Sequence, residues 1–283
     1  MNYRLPFLLY FVVIALSSCS QSIAERNYLY ELSWHDEFNG KVLNDSIWSK
    51  IKRDPGTRSF CNLTSDDRMY KMGKGRLRLY ARHNKDILPN DTARFLTGGI
   101  SSKEKKTFGY GKIEVRVRLH GAIGTWPAIW TLPVNAHDRN FERRHYAEID
   151  LLEYVDRNNF VYQTAHNAYT LADKKNWHNP PHQNLSRIEI GKYNTYSVEI
   201  LPDMLIFGVN GLETFRYPRV EDIKDQYHYG IESYIIMDMQ TYPPKFWGSG
   251  IKPETFPAYM DIDWIRVYKL KQENTNADRN EAE

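Results

Sequence analysis

Tyr146-Ala147-Glu148-Ile149-Asp150-Leu151-Leu152-Glu153-Tyr154-Val155 decides the reading of this chain. Its three carboxylates, Glu148, Asp150 and Glu153, are interleaved with aliphatics. That mixture points to a strand rather than an acidic surface run. Strand side chains alternate with period two, so Glu148 and Asp150 share a face and Glu153 falls on the other. One extra residue, a β-bulge, brings Glu153 back. The two Glu Cα atoms then lie roughly 13 Å apart. Long side chains leaning together close this to the ~5–5.5 Å carboxyl separation of a retaining glycosidase. One outer carboxyl would attack and the other would donate a proton. Asp150, between them, would hydrogen-bond a neighbour and keep one acid protonated. The alternative is a half-buried strand whose polar face happens to be acidic.

The rest of the chain reads as β structure. Arg76 to Arg82 alternates, and Lys112 to Leu119 alternates charged with aliphatic residues, giving one buried and one exposed face. Leu205 to Val209 runs into Asn210-Gly211, a strong hairpin pair, and Leu212 to Tyr217 returns. Long helical periodicity is missing, with one short helix expected over Val220–Gln226. No internal repeat or Pro/Gly/Ser linker divides the chain. The expected fold is all-β: a β-sandwich jelly roll of two curved antiparallel sheets with a concave substrate cleft.

These residues resemble glycoside hydrolase family 16. The bulged Glu148-x-Asp150-x-x-Glu153 resembles its signature strand. Leu32-Ser33-Trp34-His35-Asp36-Glu37-Phe38 is similar to its first strand, and Phe108 to Arg116 to its central strand. Gly124-Thr125-Trp126-Pro127-Ala128-Ile129-Trp130 is similar to its cleft-lining segment. Tyr193 to Glu199 and Met260 to Tyr268 match its late strands. The ordered set covers roughly residues 30–270. The resemblance implies that Glu148 is the nucleophile, Glu153 the general acid/base, and Asp150 the residue that orients and tunes Glu148. Trp126 and Trp130 would line the donor side of the cleft, where aromatic faces suit sugar rings; their alternative is core packing. His166 would lie near the acid/base; its alternative is an ordinary packing histidine. Catalysis would need no cofactor. A structural Ca²⁺ would be held near Glu37 and Asp263, whose alternative is a pair of ordinary strand-end carboxylates. His178 and His182 flank Asn179-Pro180-Pro181, which reads as a loop at the cleft rim.

Residues 1–18, with Arg4 before the apolar run Leu5 to Leu16, read as a signal peptide. Leu16-Ser17-Ser18-Cys19 resembles a lipoprotein processing site that would leave Cys19 acylated. The expectation is an outer-membrane lipoprotein, held to the membrane through its lipid alone. Residues 19–28 would form the tether, 29–270 the catalytic domain and 271–283 a disordered polar tail. With Cys19 acylated, Cys61 has no partner for a disulfide. A formal net charge of +3 gives no argument for nucleic-acid binding, and a monomer is expected.

Two departures bear on the substrate. Glucan-cleaving members often have Arg where this chain has Gly99. Their late Asn-x-Ala-x-Gly-Gly segment is here Met237-Asp238-Met239-Gln240-Thr241-Tyr242. That segment and Gln163-Thr164-Ala165-His166-Asn167 resemble members from gut Bacteroidetes that act on host galactose-containing glycans. The expected activity is an endo-β-1,4-galactosidase on poly-N-acetyllactosamine, mucin O-glycans or keratan. The alternatives are an endo-β-1,3- or mixed-linkage glucanase, and a non-catalytic glycan-binding lipoprotein.

Overall fold

The computed structural model describes residues 28–53, 62–85, 87–88, 90–242 and 250–271. The signal segment, Cys19, Cys61 and residues 272–283 lie outside them. No helix among the described residues is long and apolar enough to cross a membrane.

The strands in chain order are β1 (Tyr30–Asp36), β2 (Ser49–Lys50), β3 (Tyr70–Met72), β4 (Leu77–His83), β5 (Phe95–Thr97), β6 (Gly99–Ser101), β7 (Gly111–His120), β8 (Ala128–Pro133), β9 (Ala147–Glu153), β10 (Phe160–Asn167), β11 (Gln183–Arg187), β12 (Tyr193–Ile200), β13 (Met204–Val209), β14 (Leu212–Pro218), β15 (Ser233–Asp238) and β16 (Ala258–Leu270). One sheet runs β14-β13-β12-β7-β16-β4-β3, with β1 on β16 and β5 on β4. The other runs β11-β10-β9-β8-β15-β6-β2. The two pack as the expected jelly-roll sandwich.

Strand alternation builds the core. Ile113, Val115, Val117 and Leu119 of β7 point inward, and Lys112, Glu114, Arg116 and Arg118 point out. From the facing sheet come Ile129, Ile149, Leu151, Leu152, Val161, Ile235 and Met237, all in the same cluster. The β13–β14 turn is set by Asn210 at φ 53° and Gly211 at φ 79°, the pairing a two-residue type I′ hairpin requires.

The helix expected over Val220–Gln226 is replaced by turns. The Gln226 side chain accepts from the Val220 N–H and donates to the Pro218 carbonyl, tying the end of the segment back to its start. The α-helix among the described residues is instead α1 (Ala168–Ala172), capped by Asn167.

The two carboxylates named for calcium have arginine partners. Glu37 accepts from Arg266 at 3.0 and 3.1 Å, and Asp263 is paired with Arg116. Carboxylates already neutralised by guanidinium groups do not form the oxygen-rich set a Ca²⁺ ion needs.

Candidate active site

The bulge is on β9, and Leu151 is the extra residue. Against β8, Trp130 pairs with Asp150 and Ile129 with Leu152, so Leu151 is passed over. Against β10, Thr164 pairs with Asp150 and Tyr162 with Glu153, leaving two residues of β9 opposite one. With Leu151 as the extra residue, Leu151 and Leu152 both join the core cluster between the sheets. The insertion returns Glu153 to the face of Glu148 and Asp150.

That face opens into a cleft of about 300 Å³. Glu148, Asp150 and Glu153 line it together with Trp126, Trp130, Tyr146 and Gln240. Both tryptophans are half-buried. Trp126 does more than offer a ring, because its Nε1 donates to Glu153 Oε1 at 3.0 Å. The other oxygen of Glu153 accepts from Thr164 Oγ1 at 3.3 Å. Gln183 Nε2 donates to that same hydroxyl at 3.0 Å, which leaves the Thr164 proton directed at Glu153. Glu148 accepts a short hydrogen bond from the Tyr146 hydroxyl. Asp150 lies between, 4 % exposed.

His166 is brought to this group, but at the other end from the one expected. It pairs across the sheet with Glu148, whereas Glu153 faces Tyr162. Its Nε2 lies 3.5 Å from Asp150 Oδ2. Burial, and then His182, push His166 down to about 4, so it is neutral at pH 7. Among the described residues, Glu148, Asp150 and His166 form the one group of three possible metal ligands, with donor atoms within 4.8 Å. That group is the acid cluster itself. His182 stands behind it, its ring 5.5 Å from that of His166 and 5.2 Å from that of Trp177. The Asn179-Pro180-Pro181 segment is a loop, as expected.

The electrostatics are set by burial without compensating cations. No Lys or Arg lines the cleft among the described residues. Burial raises Glu148 to about 7, against the lowering effect of the Tyr146 hydrogen bond. Burial, then the Glu148 charge, raise Glu153 to about 8, against donors Thr164 and Trp126. Asp150 is raised well above the carboxylate range by burial, then by Glu153, Glu148 and Asp238. All three carboxyls are therefore held above the ordinary carboxylate range by burial, and Asp150 and Glu153 also by the charge of neighbouring carboxylates.

Three contributors were not singled out in the sequence as site residues. Tyr146 stands two positions before Glu148, a period-two spacing that offered a signal. Asp238 offered none of that kind, because every residue of β15 is buried and no alternation marks its faces, and Gln240 lies beyond the end of that strand. Gln240 Nε2 donates to both Asp238 oxygens, at 3.0 and 3.1 Å. Burial raises Asp238 to about 7. Asp238 also explains Gly99: a Cβ there would meet Asp238 Cβ at 2.8 Å and Leu63 Cδ2 at 2.7 Å.

Residues 57–266 match glycosyl hydrolases family 16. The chain belongs to this family. It is a glycoside hydrolase, and its jelly roll and acidic strand carry the endo-β-glycosidase architecture. A keratan-sulfate endo-1,4-beta-galactosidase of Sphingobacterium multivorum is 29% identical over 250 residues, which cover 85% of this chain and 56% of that protein. The chain thus spans little more than half the length of that relative. A beta-glucanase of Rhodothermus marinus is 29% identical over 292 residues, covering 95% of each. Among solved structures, one described under "Prominent members of the human gut microbiota express endo-acting O-glycanases to initiate mucin breakdown" superposes with a TM-score of 0.66 at 25% identity. That match covers 85% of this chain and all of the other.

Proposed function

We propose that this family 16 hydrolase is a retaining endo-β-glycosidase with Glu148 as nucleophile and Glu153 as general acid/base. The observation that carries the reading is the bulged strand β9, whose three carboxylates line one cleft. Glu148 attacks the anomeric carbon and forms an ester while the glycosidic C–O bond breaks. Glu153 gives its proton to the leaving oxygen. Glu153 then takes a proton from water, which attacks the same carbon and releases Glu148. Asp150, protonated between them, orients Glu148 and spares the site a third negative charge. Trp126 and Trp130 offer ring faces to the sugar, and Trp126 also steadies Glu153.

For the substrate we favour galactose-containing host glycans: poly-N-acetyllactosamine, mucin O-glycans or keratan. Support comes from the keratan-sulfate galactosidase and O-glycanase relatives. It comes also from Asp238 and Leu63, which fill the space beside Gly99 and leave no room there for a side chain. The second reading, a β-1,3- or mixed-linkage glucanase, is favoured by the beta-glucanase relative that matches over nearly its whole length. The leader and Cys19 support export as an outer-membrane lipoprotein, acting as a monomer.

The test is a screen of residues 20–283 on mucin O-glycans, keratan, laminarin and mixed-linkage glucan, with products sized by mass spectrometry. Oligosaccharides from the galactose-containing glycans are expected. Products from the glucans alone would overturn the substrate reading and leave the catalytic one standing.

A further inference from the structure

The two outer carboxylates are held differently. Glu153 is engaged at both oxygens, by Trp126 and by Thr164. Glu148 is hydrogen-bonded through Oε2 alone among the described residues, and its one donor is the Tyr146 hydroxyl. A Glu carboxyl turns about a broad terminal torsion, so a single donor decides which oxygen faces which way. Tyr146 is itself well fixed. Its backbone N–H closes the turn over Arg143–His145. Its ring packs against the cluster of Leu132, Tyr234 and Ile236. The hydroxyl thus reaches Glu148 from a rigid seat at the cleft wall.

We infer that Tyr146 is a positioning residue for the reaction, whose hydroxyl clamps one oxygen of Glu148 and leaves the other as the attacking atom. This rests on the reading of Glu148 as nucleophile. Oε1 then forms the ester bond to the anomeric carbon. Oε2 becomes the ester carbonyl oxygen, still accepting from Tyr146. The tyrosine proton stays on its oxygen throughout, because burial and the neighbouring carboxylate push Tyr146 far above its ordinary value. A charge-assisted O–H···O⁻ bond is stronger than a neutral one. The clamp therefore favours the ionised, attack-ready form of Glu148 over the protonated one.

The experiment is Tyr146→Phe in the full chain, assayed on keratan, or on laminarin where that is the polymer cleaved. Loss of alignment is expected to lower kcat about 10- to 100-fold with KM within about twofold. The acidic limb of kcat/KM is expected to move to higher pH, since the donor that lowers Glu148 is gone. An unchanged thermal midpoint shows that the fold is kept. A kcat and acidic limb like those of the parent would overturn the inference. So would a raised KM at unchanged kcat, which would make Tyr146 a sugar contact. Glu148→Ala with azide separates the underlying reading: an inverted glycosyl azide is expected, and its absence would remove Glu148 as nucleophile whatever Tyr146→Phe does.

Discussion

On the outward face of the nine-stranded sheet, Asp261 is fully buried yet surrounded by cations. Arg78 and Arg118 donate to it at 2.5 and 2.6 Å, and Arg76 stands at 3.4 Å. Burial alone would raise its pKa, but the arginine hydrogen bonds outweigh it and hold the carboxyl below its ordinary range. On the cleft face, Asp150, Glu153 and Asp238 are buried to a similar degree. Glu153 is met by an indole and a hydroxyl and Asp238 by an amide, Asp150 has the neutral His166 ring 3.5 Å away, and all three carboxyls are raised. The same side-chain type is thus locked as an anion in one place and kept close to its titration point in the other. The difference lies in the neighbours: arginines lower Asp261, while nearby carboxylates push Asp150 and Glu153 further up. One face uses the charge to join strands β4, β7 and β16; the other keeps protons available for transfer.

The largest effect tests the cleft side. Glu148→Gln is expected to lower turnover on the order of 10⁴-fold while glycan binding, measured by calorimetry, persists. Full activity would place the nucleophile elsewhere. Next comes the paired side. Asp261→Asn leaves three arginines without their shared anion and is expected to cost about 3–5 kcal/mol. The measurement is the denaturant midpoint, with kcat of the folded enzyme unchanged. A shift under about 1 kcal/mol would mean that the arginines find other partners or solvent.

The smallest effect concerns pH. Asp261, with its lowered folded pKa, contributes stability that is present above the ordinary aspartate range and lost as pH falls through its folded value. Asp238 works in the opposite sense. Its folded pKa of about 7 lies above the ordinary 3.8. It therefore contributes stability that is complete below pH 3.8 and lost as pH rises through 7. Asp238→Asn should flatten the decline in unfolding free energy between pH 3.8 and about 7. An unaltered slope would show that Asp238 is already ionised in the native protein.

Local pattern carried the parts of this molecule that local pattern can hold. The alternation in β7, the Asn210-Gly211 hairpin and the acidic strand were legible because each is a matter of neighbours in sequence. The parts that were missed depend on distant partners. Glu37 meets Arg266 across 229 positions, and Asp263 meets Arg116 across 147. Nothing beside Glu37 or Asp263 in the chain announces an arginine. His166 was placed beside the right group and at the wrong end, because strand identity was readable and cross-strand register was not. The segment Val220–Gln226, expected as a helix, forms turns that the Gln226 amide ties back to Val220 and Pro218, a side-chain contact that periodicity does not announce.

The extra residue in β9 has a consequence for how this strand tolerates change in length. Removing Leu151 would convert Glu-x-Asp-x-x-Glu into Glu-x-Asp-x-Glu, a regular strand on which all three acids still share a face. Removing Ile149 would instead put Glu148 and Asp150 on opposite sides. The strand therefore contains two adjacent positions, Leu151 and Leu152, where a single-codon deletion is silent in parity, next to others where it scrambles the cleft. A lineage could lose or regain the bulge in one step without passing through an enzyme that lacks its acids.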